Sequence, residues 1–233
     1  MQGGSESNLA VTMAEMSRDL LAQDTVQRTL DRIVEHAIDL VDGCEHAGIL
    51  LLQKGKVETL AVSDDLVRRS DRIQAELREG PCFDAAANSE QVYRIADLND
   101  TQQRWPRYGP RARDLGIGSM MGFLLYTDAD EFGALDLYSS RPGAFIERAE
   151  LTGWLVASHA AVAMSSARLG AQLHSSITTR QVIGEALGIV MERYKVGEDQ
   201  AFEVLKTGSQ HRNVKLREIA EQITRTGEVP GER

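Results

Sequence analysis

Between Lys206 and Arg217 the chain carries Lys206, Arg212, Lys215 and Arg217, with His211 among them, and no Asp or Glu; acids resume at Glu218. Cations gathered without acids suit contacts to phosphate. Ser209, Gln210 and Asn213, interleaved with them, offer hydrogen bonds to the edges of exposed bases. The spacer Thr207–Asn213 is polar, and Asn213 is predicted as the N-cap of a final helix whose free backbone N–H groups would favour an anion. The other reading is a solvated loop around a cap, and the residue types leave both open. Arg180, Arg193 and Lys195 form a second set of cations upstream. Other chemistry is sparse. Cys44 and Cys82 make no CxxC or metal-ligand spacing, and the five histidines form no HxxH or HExxH cluster, so no metal or cofactor is expected. Cys82 follows Gly80-Pro81 and would be reactive only with a lowered pKa or exposure; otherwise it is packed and inert.

The elements that must position these residues are legible from periodicity. Ile183, Ala186, Leu187 and Val190 fall at helical spacing, as do Ala201, Phe202 and Leu205, and again Leu216, Ile219, Ala220 and Ile223. Three such segments within about fifty residues predict a small three-helix bundle, since short helices gain stability by burying their stripes on one another. Upstream, Leu9 to Val41 repeats near the helical period, with Thr25 as a break or cap. Strands are predicted at 47–52, 57–62, 91–95, 119–126 and 132–138, with a helix from Ser63 or Asp64 to Leu77 and another from Ile146. The expected class is α+β: an antiparallel sheet flanked by helices, then a helical linker, then the bundle. Asp128 to Glu131 reads as a hairpin turn rather than a calcium loop.

From Ile146 to Val190 there is no Pro. Leu155, Val162, Leu169, Ile183 and Val190 stand in one column at steps of seven, interrupted only by Ser176, with Leu173 and Leu187 beside it, which predicts a coiled-coil seam and a homodimer. The alanines 157, 160, 161 and 163 suit close packing on the sheet. The polar stretch Gln172–Thr179 weakens the seam and is where a hinge is expected.

The C-terminal segment resembles the ANTAR domain, the RNA-binding output module of bacterial transcription antiterminators. The resemblance rests on Ala186 with the run Gly188-Ile-Val-Met-Glu-Arg193, on Glu198-Asp199 and Ala201-Phe202, and on Asn213-Val-Lys-Leu-Arg-Glu-Ile-Ala220. Many members carry a Lys after the Ala of the first helix, where this chain has Leu187, so a contact made by that Lys has no counterpart here. A second set of residues resembles the GAF sensor domain: Gly80-Pro-Cys-Phe83, Asp97-Leu98, Arg104-Trp-Pro106, Gly116-Ile-Gly-Ser-Met120 and Gly133-Ala-Leu-Asp-Leu-Tyr138. The expected domains are 10–167, GAF-like, and 168–230, ANTAR-like. The resemblance implies a signal-responsive regulator that binds tandem stem-loops in structured RNA, with a small-molecule pocket between the sheet and the crossover 78–118. Cys82, Trp105, Tyr126 and Tyr138 are its candidate lining, and Trp105 is either a stacking wall or an anchor for the loop.

Charge and composition bound this expectation. Residues 1–170 hold 17 Lys and Arg against 26 Asp and Glu, while residues 171–233 hold 9 of each, so the whole excess of −9 lies in the N-terminal part. A sequence-blind polyanion binder would be basic; RNA binding here must rest on a local patch. No run reaches about 18 apolar residues and no basic leader precedes an apolar stretch, so a soluble cytoplasmic protein is expected. Two other classes stay in view. One is a reductase of free methionine sulfoxide, which needs paired cysteines. The other is a small-molecule or redox sensor with a DNA- or protein-binding helical output, against which the neutral C-terminal part counts.

Overall fold

The computed structural model describes residues 3–53, 56–81, 83–84, 92–100, 104–128 and 131–229. The chain divides into two compact units, Met1–Arg168 and Leu169–Arg233. In the first, helices α1 (Gly3–Leu21) and α2 (Val26–Leu40) precede strands β1 (His46–Gln53) and β2 (Lys56–Val62). Helix α3 (Asp65–Leu77), strand β3 (Val92–Ile95), helix α4 (Tyr108–Asp114) and strands β4 (Ser119–Asp128) and β5 (Glu131–Ser139) follow. Helix α5 runs from Glu147 to Tyr194; α6 (Glu198–Arg212) and α7 (Leu216–Thr226) complete the second unit.

The five strands form one sheet in the order β2-β1-β5-β4-β3, every pair antiparallel. The central strands β1, β4 and β5 are largely apolar on both sides because both faces are covered there, and alternation sorts their residues between two cores. Ile49, Met121, Phe123, Leu135 and Leu137 join Met16, Ile33, Ala37, Val156 and Ala160 in one core. Leu50, Met120, Ala134 and Tyr138 join Val67, Leu98, Trp105 and Tyr108 in the other.

Local chemistry sets the helix ends. Thr25 caps α2 by accepting the Arg28 N–H at 3.2 Å, and Asp64 caps α3 by accepting the Leu66 N–H at 2.8 Å. Helix α4, which periodicity did not reveal, is only seven residues long and depends on its neighbours. The Glu79 carboxylate accepts the N–H groups of Arg107 (2.7 Å) and Tyr108 (2.9 Å) at its start. Burial opposes that charge, yet the Tyr108 and Arg107 donors hold the Glu79 carboxyl below its ordinary pKa.

Helix α5 buries Ala149, Val156, Ala157, Ala160, Ala163 and Met164 in the first core. From 165 to 185 it buries no residue at all, and burial returns at Ala186, Leu187 and Val190. The sevenfold column is therefore not one seam. Val190 and Leu187 belong to the bundle core, Leu155 and Ile183 are half-buried, and Val162, Leu169 and Leu173 are exposed. A straight helix drifts about 20° per heptad from a strict repeat of seven, which takes the column from one environment into another.

In the second unit Ala186, Leu187, Val190, Ala201, Leu205, Ile219, Ala220, Ile223 and Val229 form a single core. Phe202 does not join it. Its side chain is 39% exposed, because Ala201, Leu205 and Gly208 already define the inward face of α6.

Candidate nucleic-acid interface and ligand pocket

The predicted spacer Thr207–Asn213 is not a loop. Helix α6 continues through Arg212, and Asn213 ends it in the left-handed conformation at φ 52°, ψ 43°, as its C-cap. Asn tolerates this geometry better than other residues with a Cβ. The Asn213 N–H reaches the Gln210 carbonyl at 3.3 Å and the Val214 N–H the Ser209 carbonyl at 3.2 Å, closing the helix end. Ser209 Oγ also donates to the Val214 carbonyl at 2.6 Å. The N-cap of α7 is Lys215, and no side chain caps it. The expectation of Asn213 as N-cap is thus corrected: the same Asn serves the preceding helix, two residues earlier than the turn requires a cap.

The tight turn nevertheless gathers a basic corner. Arg212 donates to Gln222 Oε1 at 2.7 Å, tying the end of α6 to α7, and Arg217 pairs with Glu221 at 2.6 Å within α7. Lys215, His211 and Gln210 are exposed. Lys206 pairs with Glu203 at 2.9 Å one turn back. Arg193 and Lys195 lie elsewhere. Arg193 donates to the Gly227 carbonyl beyond the far end of α7, and Lys195, itself left-handed at φ 53°, pairs with Glu192. At about 1.5 Å per residue, the 11 residues of α7 set roughly 16 Å between the two groups. Arg180 is exposed two-thirds of the way along α5 and joins neither. Of the ten residues singled out, seven (Ser209, Gln210, His211, Arg212, Asn213, Lys215 and Arg217) therefore share one corner. Leu187 packs in the bundle core, which accounts for an apolar residue at that position.

In the first unit Cys82 lies outside the described residues, as does the side chain of Tyr126. Trp105 is buried as an anchor: its Nε1 donates to Asp84 at 2.9 Å, its ring meets Tyr108 edge-on, and the Arg104 guanidinium sits 4.9 Å from its centroid. Tyr138 is fully buried, 3.5 Å from Asp71 Oδ1. Around it lies a cluster that apolar periodicity does not reveal, because the buried face of α3 is polar: Ser70, Asp71 and Gln74 point inward beside Val67. Asp71 accepts from Thr59 Oγ1 at 2.7 Å, and Ser70 bonds the Tyr108 hydroxyl at 2.9 Å. On β5 the buried Asp136 accepts from the Tyr93 hydroxyl at 2.7 Å. Tyr93 reaches it by lying across Gly122, its neighbour in register on β4, where an added Cβ would come within 2.2 Å of the ring. Burial, and after it the charge of Asp136, pushes the Asp71 carboxyl up to about 7. An acid at an inward strand position, Asp136 between Ala134 and Tyr138, was the one available hint.

Cys44 is half-buried with its thiol against the His46 carbonyl at 3.3 Å, and burial pushes it up to about 12, which makes it a poor nucleophile. Among the described residues no group of His, Cys, Asp and Glu has the spacing to hold a metal, and no helix is long and apolar enough to cross a membrane.

Residues 23–165 match the family described as GAF domain, and residues 171–223 match the family described as ANTAR domain. Among curated proteins none matches the chain in sequence. Solved structures resemble it at low identity and so show its fold. The GAF domain of a phosphoenolpyruvate-protein phosphotransferase from Coxiella burnetii covers 71% of this chain and 98% of its own, at 15% identity and TM-score 0.54. A bacteriophytochrome of R. palustris covers 85% of this chain and 46% of its own, at 10% identity and TM-score 0.60. Free methionine-R-sulfoxide reductase from Neisseria meningitidis covers 70% and 91%, at 12% identity and TM-score 0.51.

Proposed function

The chain belongs to the GAF domain family and carries an ANTAR domain behind that match, and on this premise we propose that it is a cytoplasmic, signal-responsive regulator of transcription antitermination that reads stem-loop RNA. In this reading the GAF domain, residues 10–167, takes a small-molecule signal on the α3 side of its sheet. The ANTAR domain, residues 168–230, holds RNA at the corner between α6 and α7, and two chains pair along α5. Bound tandem stem-loops would keep a terminator hairpin from forming. The signal acts only if it binds two states of the chain with different affinity.

The observation that carries the reading is the corner itself. His211, Arg212, Lys215 and Arg217 surround a helix N-terminus that no side chain caps, and the chain leading into it is free of acids from 204 to 217, Glu218 being the one acid in its first turn. Such a terminus offers N–H donors and a positive dipole end to a phosphate. Pairing is supported by Val162, Leu169, Leu173 and Ile177, apolar side chains that α5 leaves exposed along one side. We assign no catalysis to the first unit, in keeping with the inert thiol of Cys44.

Fluorescence anisotropy with a hairpin RNA and a DNA duplex of equal length tests the reading. The RNA is expected to bind and the duplex not. Arg212→Ala and Lys215→Ala should each weaken RNA binding and reduce its salt slope by about one counterion. Equal affinity for the duplex would favour a DNA-binding output. Unchanged affinity and slope in folded variants would move the RNA face to Arg180, Arg193 and Lys195.

A further inference from the structure

The second unit contains two aromatic residues, Tyr194 and Phe202, and both are 39% exposed. The described aromatics of the first unit are mostly buried, Trp105, Tyr108, Phe123 and Tyr138 to 2% exposure or less. Phe202 stands on a particular face of α6. At 100° per residue, positions 202, 206 and 209 share one stripe, and the helix ends on that stripe at Asn213. Along it, in order, come a flat aromatic ring, the ammonium of Lys206, the hydroxyl of Ser209 and the amide of Asn213. From 204 to 217 this segment carries four cations and no acid.

We propose that Phe202 is the stacking platform for an unpaired base of the bound RNA loop, with Lys206 on the adjoining phosphate and the Ser209–Asn213 corner reading the neighbouring nucleotides. This rests on the RNA-binding reading above and adds the residue that makes it selective for splayed, single-stranded bases. Phosphate contacts alone do not distinguish a loop from a stem, whereas a base can stack on a side chain only where it has left its own helix. The stripe is about 16 Å from Phe202 to Asn213 at the helical rise, a length that a loop of a few nucleotides covers. A second copy of the chain is the other occupant an exposed ring can take, but the segment 204–217 that follows the ring carries four cations and no acid, Lys206 being paired with Glu203 one turn back, and this favours a polyanion over a like-charged copy.

The test uses the full chain and a hairpin RNA with 2-aminopurine placed at each loop position in turn. Phe202→Leu keeps an apolar side chain of similar reach and removes the ring. It is expected to lose on the order of tenfold or more in affinity, as loss of one stacked base does. It should also lose fluorescence quenching at one loop position, with the salt slope unchanged because no counterion is involved. Phe202→Trp should keep affinity and quenching, and melting curves establish that each variant is folded. A Phe202→Leu protein that binds and quenches like the parent would overturn the proposal. So would a loss of affinity accompanied by a fall in molar mass by light scattering, which would make the ring a contact between copies. If the parent binds no hairpin, the underlying RNA reading fails with it; if the parent binds and only Phe202 is silent, that reading stands alone.

Discussion

Asp71 shows how much one side chain can carry in this fold. Its carboxyl is 2% exposed between α3 and the sheet, bonded to Thr59 and faced by Asp136, Tyr138 and, more distantly, Arg68. An unfolded Asp titrates near 3.8, whereas burial and the Asp136 charge push this one to about 7. The folded form therefore holds its proton through a range where the unfolded form has released it. Stability gained this way is complete below about pH 4 and is lost as pH rises toward and through 7. Asp71→Asn keeps the shape and stays neutral. At pH 8 it should stabilise the first unit by on the order of 2–4 kcal/mol, seen as a higher melting temperature, and at pH 4 it should give little or no gain. A variant equally affected at both pH values would show that the pair does not titrate as described. Asp71 was not legible in the sequence, and Asp136 showed only as an acid at an inward strand position. A polar buried face on α3 has no apolar period, and Asp136 is set by a strand register and a glycine, Gly122, that only the sheet brings together.

At the scale of elements, most strands and helices follow from pattern because both faces of the sheet and one stripe of each helix are buried. Thr25 and Asp64 mark their helix starts as their chemistry predicts. What failed was the α6–α7 junction. A run of polar residues reads as a loop, yet Gln210, His211 and Arg212 extend α6 because its inward residues, Leu205 and Gly208, still have a core to meet. Helix α5 poses the opposite problem: a regular apolar column whose members prove to live in different surroundings. It shows Val162, Leu169, Leu173 and Ile177 at 57–67% exposure. Covering each such side chain is worth about 1.5–3 kcal/mol, enough for two copies to hold one another. Leu169→Lys with Leu173→Lys places charges on that face without touching either core. Light scattering should give a dimer mass for the parent and a monomer mass for the double variant, with or without hairpin RNA. An unchanged mass in both conditions would end the case for pairing along α5.

Over the whole molecule, charge and fold divide at the same place. The first unit carries the entire net charge of −9, and the second, from Leu169 onward, is neutral, with Arg212, Lys215 and Arg217 gathered at one corner. The sequence made this division visible because charge is additive and needs no structure to count. It could not show which cations stand together, since that depends on a turn at Asn213 that only the folded chain defines. If RNA affinity came from the overall field of the protein, any arginine would contribute about equally, and an acidic chain would bind poorly at low salt. If it comes from the corner, position decides. Arg69 is an exposed cation on α3 in the first unit, and Arg69→Ala removes the same charge as Arg212→Ala. Measured across a salt series, Arg69→Ala should leave both affinity and slope at the parent's values, while Arg212→Ala lowers both. Equal losses in the two variants would mean that the protein is held by its field as a whole, and the corner between α6 and α7 would lose its claim to be the reading surface.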